Sequence, residues 1–450
     1  MPDFGPFRPP GYPPRSAYLH LPFCHRRCFY CDFPVVPLGD LASGEASAPG
    51  SRSIAAYLEL LHQEIATAPL GPPLSTVYFG GGTPSLLTPA QIGDLVRALR
   101  SRFGLAPGAE ITLELDPASF DRQRLGGYLA GGVNRVSLGG QSFDDQVLSE
   151  LGRRHRGADV VDAARWLSEA CLDGRLASWS LDLIQGVPQA VGAGLGAWGQ
   201  QLQQAIGLQP PHLSVYDLSI EPGTVFERRQ EQGALALPDP DQGADLMELT
   251  WSALAAAGYG HYEISNFAKP GHASRHNRVY WSGAGWWGFG MGATGAPWGE
   301  RVARPRTREA YAAWLAQELG EGPAGDPCRA EAAARTPPMG LPLDERLMVG
   351  LRRREGVAME PLLALQGWGP QEVARQVAQL RQRLAAPLEA GWLVIEGSRW
   401  RLSDPQGLAL SNGVLRELLA WWQEQLDGSE RQSSPAGLLP LGSVLGSRVG

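Results

Sequence analysis

Near its start the sequence reads Tyr18-Leu19-His20-Leu21-Pro22-Phe23-Cys24-His25-Arg26-Arg27-Cys28-Phe29-Tyr30-Cys31. A short segment that predicts a β-strand runs directly into three cysteines spaced C-x3-C-x2-C. Thiolates are soft ligands that suit iron-sulfur clusters and zinc. Three of them can bind three irons of a four-iron cubane and leave the fourth iron open. A zinc site prefers four ligands, so zinc with His20 or His25 as the fourth ligand is the alternative.

The composition limits the class of protein. The 450 residues are enough for two or three domains, and the net charge of −7 does not suggest a nucleic-acid-binding surface. Only five cysteines occur, and three are crowded together, which predicts metal ligation in a reducing compartment rather than a disulfide framework. We see no signal peptide at Met1 and no run of about 18 apolar residues, so we expect a cytoplasmic protein.

Strands and helices alternate along the first 300 residues, which predicts a parallel sheet that is either doubly wound or barrel-like. In such folds the active site lies at the carboxyl ends of the strands, and the polar motifs of this chain follow strands. The predicted strands cover 17–21, 76–79, 110–115, 135–138, 180–184 and 213–216. The predicted helices cover 54–67, 89–103, 121–130, 144–152, 157–170, 195–207 and 240–257.

A second motif, Phe79-Gly80-Gly81-Gly82-Thr83-Pro84, follows the second of these strands. Together with the cysteine segment it resembles the radical S-adenosylmethionine enzymes, over about residues 17–300. Within them the chain resembles the branch of oxygen-independent coproporphyrinogen oxidases and haem chaperones of the HemW type. The resemblance implies a partial (β/α)6 barrel, a 4Fe-4S cluster bound by Cys24, Cys28 and Cys31, and S-adenosylmethionine at the open iron.

The other polar residues near strand ends fit such a pocket. Glycines allow close approach of the backbone to a ligand, and a strand-end carboxylate such as Glu114 could pair with cationic or hydroxyl groups, although a solvated surface acid is the simpler interpretation. Asp182 is a charge inside an apolar strand, which is costly to bury without a partner. The resemblance implies that the S-adenosylmethionine region is lined by Tyr18, Tyr30, Gly81, Gly82, Thr83, Glu114, Gln141, Arg153 and Asp182.

Two features separate the branches of the family. In the oxidases a fourth cysteine closely follows the triplet and a long N-terminal segment precedes it, whereas here Asp32 follows Cys31 and only 23 residues precede Cys24. The segment His276-Asn277-Arg278-Val279-Tyr280-Trp281 matches the H-N-x-x-Y-W pattern of the chaperones. Imidazole is a common axial ligand of haem iron, so we expect His276 to contact haem, although a lone histidine is more often a core or surface residue. The nearby aromatic residues that could cover a porphyrin are Tyr280, Trp281, Trp286 and Trp287.

The sequence therefore predicts a haem chaperone that binds haem and transfers it to apo-haemoproteins. It would use an electron donor for the cluster, and homodimer formation stays open. The alternative is an oxygen-independent coproporphyrinogen III oxidase, and no residue is assigned a catalytic role. The predicted organisation is an irregular N-terminus over 1–16, a radical S-adenosylmethionine barrel over 17–300, a linker over 301–340, a small winged-helix-like α+β domain over 341–428 and a disordered tail over 429–450. The balanced charge of the C-terminal domain argues against nucleic-acid binding.

Overall fold

The computed structural model describes residues 13–188, 194–320 and 341–433. Within these ranges a nine-stranded sheet contains all six predicted strands. The six run parallel, and each of the last five pairs with the one before it in the chain. They are β1 (Ser16–Leu21), β2 (Leu74–Gly81), β3 (Leu105–Leu115), β4 (Arg135–Gln141), β5 (Ser178–Gln185) and β6 (His212–Asp217).

Three short strands that the sequence did not indicate extend this sheet at both edges. They are β7 (Gly260–Glu263), β8 (Asn266–Ala268) and β9 (Trp287–Phe289). Strand β9 pairs parallel with β1, while β8 and then β7 add antiparallel to β6. The sheet has β9 at one edge and β7 at the other and stays open. Its consecutive order is that of a barrel rather than of a doubly wound sheet, where the order reverses, so the predicted partial (β/α)6 barrel is confirmed.

Helices connect the parallel strands and bury their apolar faces against the outer side of the sheet. Helix α2, for example, begins at Pro89 after a capping box in which Thr88 and Gln91 exchange hydrogen bonds of 2.9 and 3.2 Å, and it ends before Gly104 at φ 79°. The helices are α1 (Ser51–Thr67), α2 (Pro89–Phe103), α3 (Arg122–Ala130), α4 (Asp145–Glu150), α5 (Gly157–Leu172), α6 (Leu195–Gly207), α7 (Val225–Glu231), α8 (Pro240–Ala256), α9 (Arg275–Ser282) and α10 (Arg308–Gly320).

Successive side chains of a strand point to opposite faces of the sheet, and in these parallel strands apolar side chains on one face alternate with polar side chains on the other. In β2, Val77 and Phe79 join the core beneath the helices, whereas Thr76 and Tyr78 make polar contacts on the other face. The inner face of the barrel is consequently lined by polar groups. Its members include Tyr18, Thr76, Tyr78, Thr112, Glu114, Arg135, Ser137, Ser180, Asp182, His212 and Ser214.

The C-terminal domain has its own apolar core, centred on residues such as Leu347, Leu380 and Trp400. Its order of helix, strand, three helices and a hairpin agrees with the predicted winged-helix-like fold. The elements are α11 (Leu343–Leu351), β10 (Val357–Ala358), α12 (Met359–Ala364), α13 (Pro370–Arg383), α14 (Ala385–Glu389), β11 (Leu393–Glu396), β12 (Arg399–Leu402), α15 (Gln406–Ala409) and α16 (Ser411–Ser433). Its three strands form an antiparallel sheet in the order β10-β12-β11.

Polar contacts join this domain to one end of the barrel. Arg278 of α9 forms an ion pair with Glu355, and His261 Nδ1 lies 2.9 Å from Asp404 Oδ1. Helix α9, which carries the predicted haem residue His276, also packs against α11 and against β2. The helix therefore lies between the barrel and the C-terminal domain.

The predicted domain boundaries need two corrections at their ends. The predicted linker over 301–340 includes α10, whose Tyr311 and Leu315 are buried in the barrel core, so residues 308–320 belong to the barrel domain. The predicted tail over 429–450 begins inside α16, which continues to Ser433. Residues 321–340 and 434–450, and residues 1–12 of the predicted N-terminal segment, lie outside the described residues. No described helix is both long and apolar enough to cross a membrane.

Candidate functional site

The three cysteines lie on one loop that leaves the carboxyl end of β1. The two-residue strand Phe23–Cys24 pairs with Val36–Pro37 and closes this loop. Cys24 is buried, Cys28 and Cys31 are partly exposed, and all three are free thiols. Burial raises the pKa of the Cys24 thiol to about 12, a cost that a coordinated metal cation offsets by binding the thiolate.

The described residues contain no group of three or more His, Cys, Asp or Glu side chains placed to hold a single metal ion. Neither His20 nor His25 therefore joins the cysteines in such a group.

The glycine turn after β2 packs directly against the cysteine loop. The Gly82 amide donates to the Leu21 carbonyl at 2.9 Å, and the Thr83 amide donates to the Phe23 carbonyl at 2.6 Å. A Cβ atom on Gly82 would lie 2.6 Å from the Phe23 carbonyl oxygen and 2.9 Å from the Cys24 sulfur. Only glycine fits here without displacing the loop.

The carboxylate of Glu114 is held beside this turn. The Tyr78 hydroxyl donates to Glu114 Oε1 at 2.8 Å, and the Gly81 amide, at φ 119°, donates to Oε2 at 3.1 Å. Burial, together with the negative charge of Asp182, raises the pKa of Glu114 to about 7 despite these two hydrogen bonds. A nearby cation stabilises the ionised form of a buried carboxylate, so Glu114 is suited to bind a cationic ligand.

Tyr18 extends the same group of side chains towards the cysteine loop. Its ring stacks on Tyr78 with centroids 6.2 Å apart, and its hydroxyl lies 2.9 Å from His20 Nδ1. His20 Nε2 donates to the Pro34 carbonyl at 3.1 Å, since a carbonyl oxygen only accepts. Burial lowers the pKa of His20 to about 4, so the ring is neutral and Nδ1 accepts a hydrogen bond from the Tyr18 hydroxyl.

Arg153 is the cationic centre of the site. Its guanidinium donates to Asp116 Oδ2 at 2.8 Å, to the Gly139 carbonyl at 3.1 Å and to the Cys28 sulfur at 3.5 Å. Burial alone would raise the pKa of Asp116, but Arg153 and His155 outweigh it and hold that pKa well below its usual range. A positive charge therefore lies directly against one of the three cysteine sulfurs.

Gln141 and Tyr30 lie beside this arginine. Gln141 has φ 64°, a left-handed conformation that few residues other than glycine adopt. A Cβ atom on Gly139 would lie 3.2 Å from the Gln141 amide nitrogen and 3.5 Å from Arg153, so both side chains cover Gly139. Burial, followed by the negative charge of a Cys28 thiolate, raises the pKa of Tyr30. The positive charge of Arg153 offsets part of this rise.

Asp182 faces the interior of the barrel from β5. The Ser137 hydroxyl donates to its Oδ2 at 2.8 Å, whereas Oδ1 has no partner in the described structure. Burial raises the pKa of Asp182, and the surrounding serine hydroxyls lower it. An unpaired buried carboxylate oxygen is a ready acceptor for ligand hydroxyl groups.

His276 is fully buried, and both ring nitrogens have partners. Nδ1 lies 2.8 Å from Thr76 Oγ1, and Nε2 lies 2.7 Å from the Tyr280 hydroxyl. The imidazole stacks on Tyr78 with centroids 5.2 Å apart. Burial and then the charge of Arg135 lower its pKa to about 3, so the ring is neutral. In this conformation neither nitrogen is free to bind an iron.

Comparisons with known proteins agree with this geometry. The sequence profile of the radical SAM superfamily matches residues 18–188. The heme chaperone HemW of Synechocystis is 38% identical, in an alignment that covers 91% of this chain and 98% of that protein. The chain belongs to the HemW family of radical SAM proteins.

Other similar proteins extend this result. The bovine mitochondrial radical S-adenosyl methionine domain-containing protein 1 is 34% identical, covering 96% of this chain and 94% of that protein. The structure of coproporphyrinogen III oxidase HemN from Escherichia coli has a TM-score of 0.69 at 22% identity and covers 90% of each chain, a likeness that concerns the fold alone. Membership of the radical SAM superfamily implies a 4Fe-4S cluster and S-adenosylmethionine.

The predicted site residues of this HemW family member fall into connected groups. Gly82 and Thr83 contact the cysteine loop, Gly81 and Tyr18 surround Glu114, and the remaining residues surround Arg153 or line the inner face. The thiols, the neighbouring cation and the close glycine turn fit an iron-sulfur cluster. The unpartnered oxygen of Asp182 fits a polar ligand on the inner face of the barrel.

Several residues of the site were missed from the sequence. Asp116 pairs with Arg153, His155 donates to the Gly140 carbonyl at 2.9 Å, and Tyr78 binds Glu114. The alternation of polar residues along β2 and β3 was the signal that could have found Tyr78. The predicted porphyrin contact of Trp287 is wrong for this structure, because its ring is buried in the core against Phe103.

Proposed function

We propose that this protein binds haem and transfers it to apo-haemoproteins, and that it carries a 4Fe-4S cluster and S-adenosylmethionine. The curated relatives of nearly equal length that are called heme chaperones support this proposal. The observation that carries it is the contact between two predicted sites. His276 stacks on Tyr78, and Tyr78 donates to Glu114 beside the glycine turn.

Cys24, Cys28 and Cys31 are proposed to ligate the cluster, with the Arg153 guanidinium in contact with the Cys28 sulfur. When bound, the cluster and S-adenosylmethionine supply one-electron chemistry. Around them Glu114 would bind cationic ligand groups, and Asp182 would accept ligand hydroxyl protons. The Gly82 turn keeps the backbone close to the cysteine loop and so excludes side chains from that space.

The Cys28→Ser variant tests this assignment. It should lose most iron and sulfide after anaerobic reconstitution, because one of three ligands is removed. Cys171→Ser is the control, since Cys171 is a free thiol near the end of α5 that packs against the apolar core of the barrel. Equal iron content in the two variants would contradict the assignment.

Haem binding by His276 requires a change in the hydrogen bonds that now occupy its ring. Rotation of Tyr280 would free Nε2 at the cost of one hydrogen bond, whereas Nδ1 is held by Thr76 on the sheet. Nε2 is therefore the nitrogen proposed to contact haem. An intramolecular hydrogen bond contributes about 0.5–1.5 kcal/mol, so this rearrangement is energetically accessible.

Titration of the reconstituted protein with haem, followed by visible absorbance, tests the proposal. We expect stoichiometric binding that is lost in His276→Ala and strengthened about two- to ten-fold in Tyr280→Phe, where the competing hydroxyl is absent. Circular dichroism of both variants controls for folding. Weaker haem binding in Tyr280→Phe would instead make the hydroxyl itself a haem contact.

The same preparation distinguishes a chaperone from an oxidase. Transfer of bound haem to an apo-haemoprotein, with no conversion of coproporphyrinogen III, is the expected result. Conversion of coproporphyrinogen III to protoporphyrinogen IX would overturn the chaperone proposal. The electron donor, a homodimer and a cytoplasmic location remain predictions from the sequence.

A further inference from the structure

A second group of polar side chains lies at the opposite end of the barrel from the cysteines. Arg135 is the first residue of β4, whereas Gln141 ends that strand beside Arg153. Six residue steps along the strand separate them, or roughly 20 Å. The S-adenosylmethionine residues cluster towards Gln141, so a group bound at Arg135 would occupy a different part of the barrel.

Arg135 is 3% exposed, and its Nε and Nη2 atoms have no hydrogen-bond partner in the described structure. Buried guanidinium donors that lack an acceptor are costly in a folded protein. Burial raises the pKa of the Asp182 carboxyl, while the serine hydroxyls and the charge of Arg135 lower it. One oxygen of this carboxylate accepts from Ser137, and the other has no partner in the described structure. The guanidinium therefore offers two buried donors without a protein acceptor.

Two more buried groups without partners lie on nearby strands: Thr112 on β3, and His212 on β6, whose pKa is lowered first by burial and then by the charge of Arg135. Thr112 pairs in register with Arg135 on the neighbouring strand, and its hydroxyl is without a partner. The Nδ1 atom of His212, whose Nε2 lies 2.8 Å from the Tyr262 hydroxyl, is also without a partner. A guanidinium, a hydroxyl and an imidazole nitrogen together can donate several hydrogen bonds to one oxyanion.

The position of this group relative to His276 identifies the anion. His276 stacks on Tyr78, Tyr78 pairs in register with Thr112, and Thr112 pairs with Arg135. Two strand spacings, or about 10 Å, separate Tyr78 from Arg135. This span is of the order of the distance from the centre of a porphyrin to the carboxylates at its edge.

We propose that Arg135, with Thr112 and His212, binds a propionate carboxylate of haem inside the N-terminal end of the barrel. This inference rests on the proposed function, because it assigns one end of the haem that His276 would contact. The planar guanidinium binds a carboxylate through two parallel hydrogen bonds. Haem would then lie between α9 and β4, away from the cysteine loop.

The test compares haem with haem dimethyl ester, in which both propionates are neutral, on the full-length reconstituted protein. The natural protein should bind haem at least ten-fold more tightly than the ester. In Arg135→Gln the affinity for haem should fall by roughly ten- to a hundred-fold and the affinity for the ester should stay unchanged. Arg135→Lys should keep part of the preference, because a point charge remains without the fork.

Arg124→Gln is the matched control. Arg124 donates to the Leu87 carbonyl and to the Tyr128 hydroxyl on the outer side of the sheet, so its loss should not change the preference for haem. If Arg135→Gln fails to fold, the natural protein and Arg135→Lys still measure the preference.

Three results would overturn the inference. Equal affinity of the natural protein for haem and its ester would show that no propionate meets a cation. An unchanged preference for haem over its ester in Arg135→Gln would show that Arg135 does not bind a propionate. A loss of S-adenosylmethionine binding with no loss of haem binding would assign the carboxylate to S-adenosylmethionine. Failure of the natural protein to bind haem at all would instead contradict the proposed function itself.

Discussion

The Gly82→Ala substitution tests how the glycine turn supports the cysteine loop. The added methyl carbon would lie 2.6 Å from the Phe23 carbonyl oxygen and 2.9 Å from the Cys24 sulfur, whereas ordinary contacts begin at 3.4 Å. The loop must therefore move by about 0.8 Å at its closest point. Gly82 does not have a positive φ, so the effect is steric and not a strain of the backbone.

The expected cost follows from this overlap. Overpacking of a well-packed site costs about 1–3 kcal/mol, which lowers the melting temperature of a domain of this size by roughly 2–10 °C. Metal sites tolerate ligand displacements of only about 0.2 Å, so the cluster should suffer more than the fold. We expect an apoprotein that folds but incorporates much less iron and sulfide.

The assay combines three measurements on anaerobically reconstituted protein: iron and sulfide content, the electron paramagnetic resonance spectrum of the reduced cluster, and thermal unfolding of the apoprotein by circular dichroism. Gly126→Ala is the control, because Gly126 lies in α3 with no atom near the added methyl carbon. That variant should be as stable as the natural protein or more so. Natural iron content and an unchanged spectrum in Gly82→Ala would refute the steric argument.

Three further predictions concern other buried charges. Glu64 pairs with Arg304 at 2.6 Å, so the Glu64→Gln substitution should lower the unfolding free energy of the protein by about 3 kcal/mol, as measured by denaturant titration. The control substitution Glu59→Gln, at an exposed residue, should leave it unchanged. Because the pKa of Glu114 is about 7 instead of 4.5, its ionisation destabilises the fold increasingly from pH 4.5 to 7 and by a constant amount above pH 7. A cationic ligand favours the carboxylate, so S-adenosylmethionine affinity measured by equilibrium dialysis should rise with pH up to about 7 and become flat in Glu114→Gln. Arg153→Lys keeps the charge but not the planar fork, so the same assay should show about ten-fold weaker binding, and natural affinity would exclude a positioning role.

The local sequence was sufficient to predict the parallel strands and their helices. Helix α2 was predicted over 89–103 and is found there, because Thr88 and Pro89 begin it and Gly104 ends it. Strands β7, β8 and β9 were missed because each has only three or four residues and no periodicity. Their pairing depends on the edges of a sheet that is built from distant parts of the chain.

The candidate site was predicted in its residue types but not in its connections. Arg153 was expected to line the S-adenosylmethionine region, and in the structure it donates to Asp116, which lies 37 residues away in the chain. A sequence pattern identifies a donor and an acceptor separately, whereas their pairing depends on how β3 and the loop after α4 meet. Asp116 therefore had no signal of its own beyond its position after β3.

His276 shows most clearly what residue identity leaves open. The motif around it predicts a haem ligand, but the ligand strength of an imidazole depends on whether a nitrogen lone pair is available. Here Thr76 and Tyr280 occupy both nitrogens, and burial keeps the ring neutral. A neutral imidazole is the form that binds iron, so only the hydrogen bond between Nε2 and the Tyr280 hydroxyl has to be exchanged. Because α9 packs against the C-terminal domain through α11, a movement of that domain would alter the position of Tyr280. The same helix therefore connects the proposed haem site at His276 to the contact between the two domains.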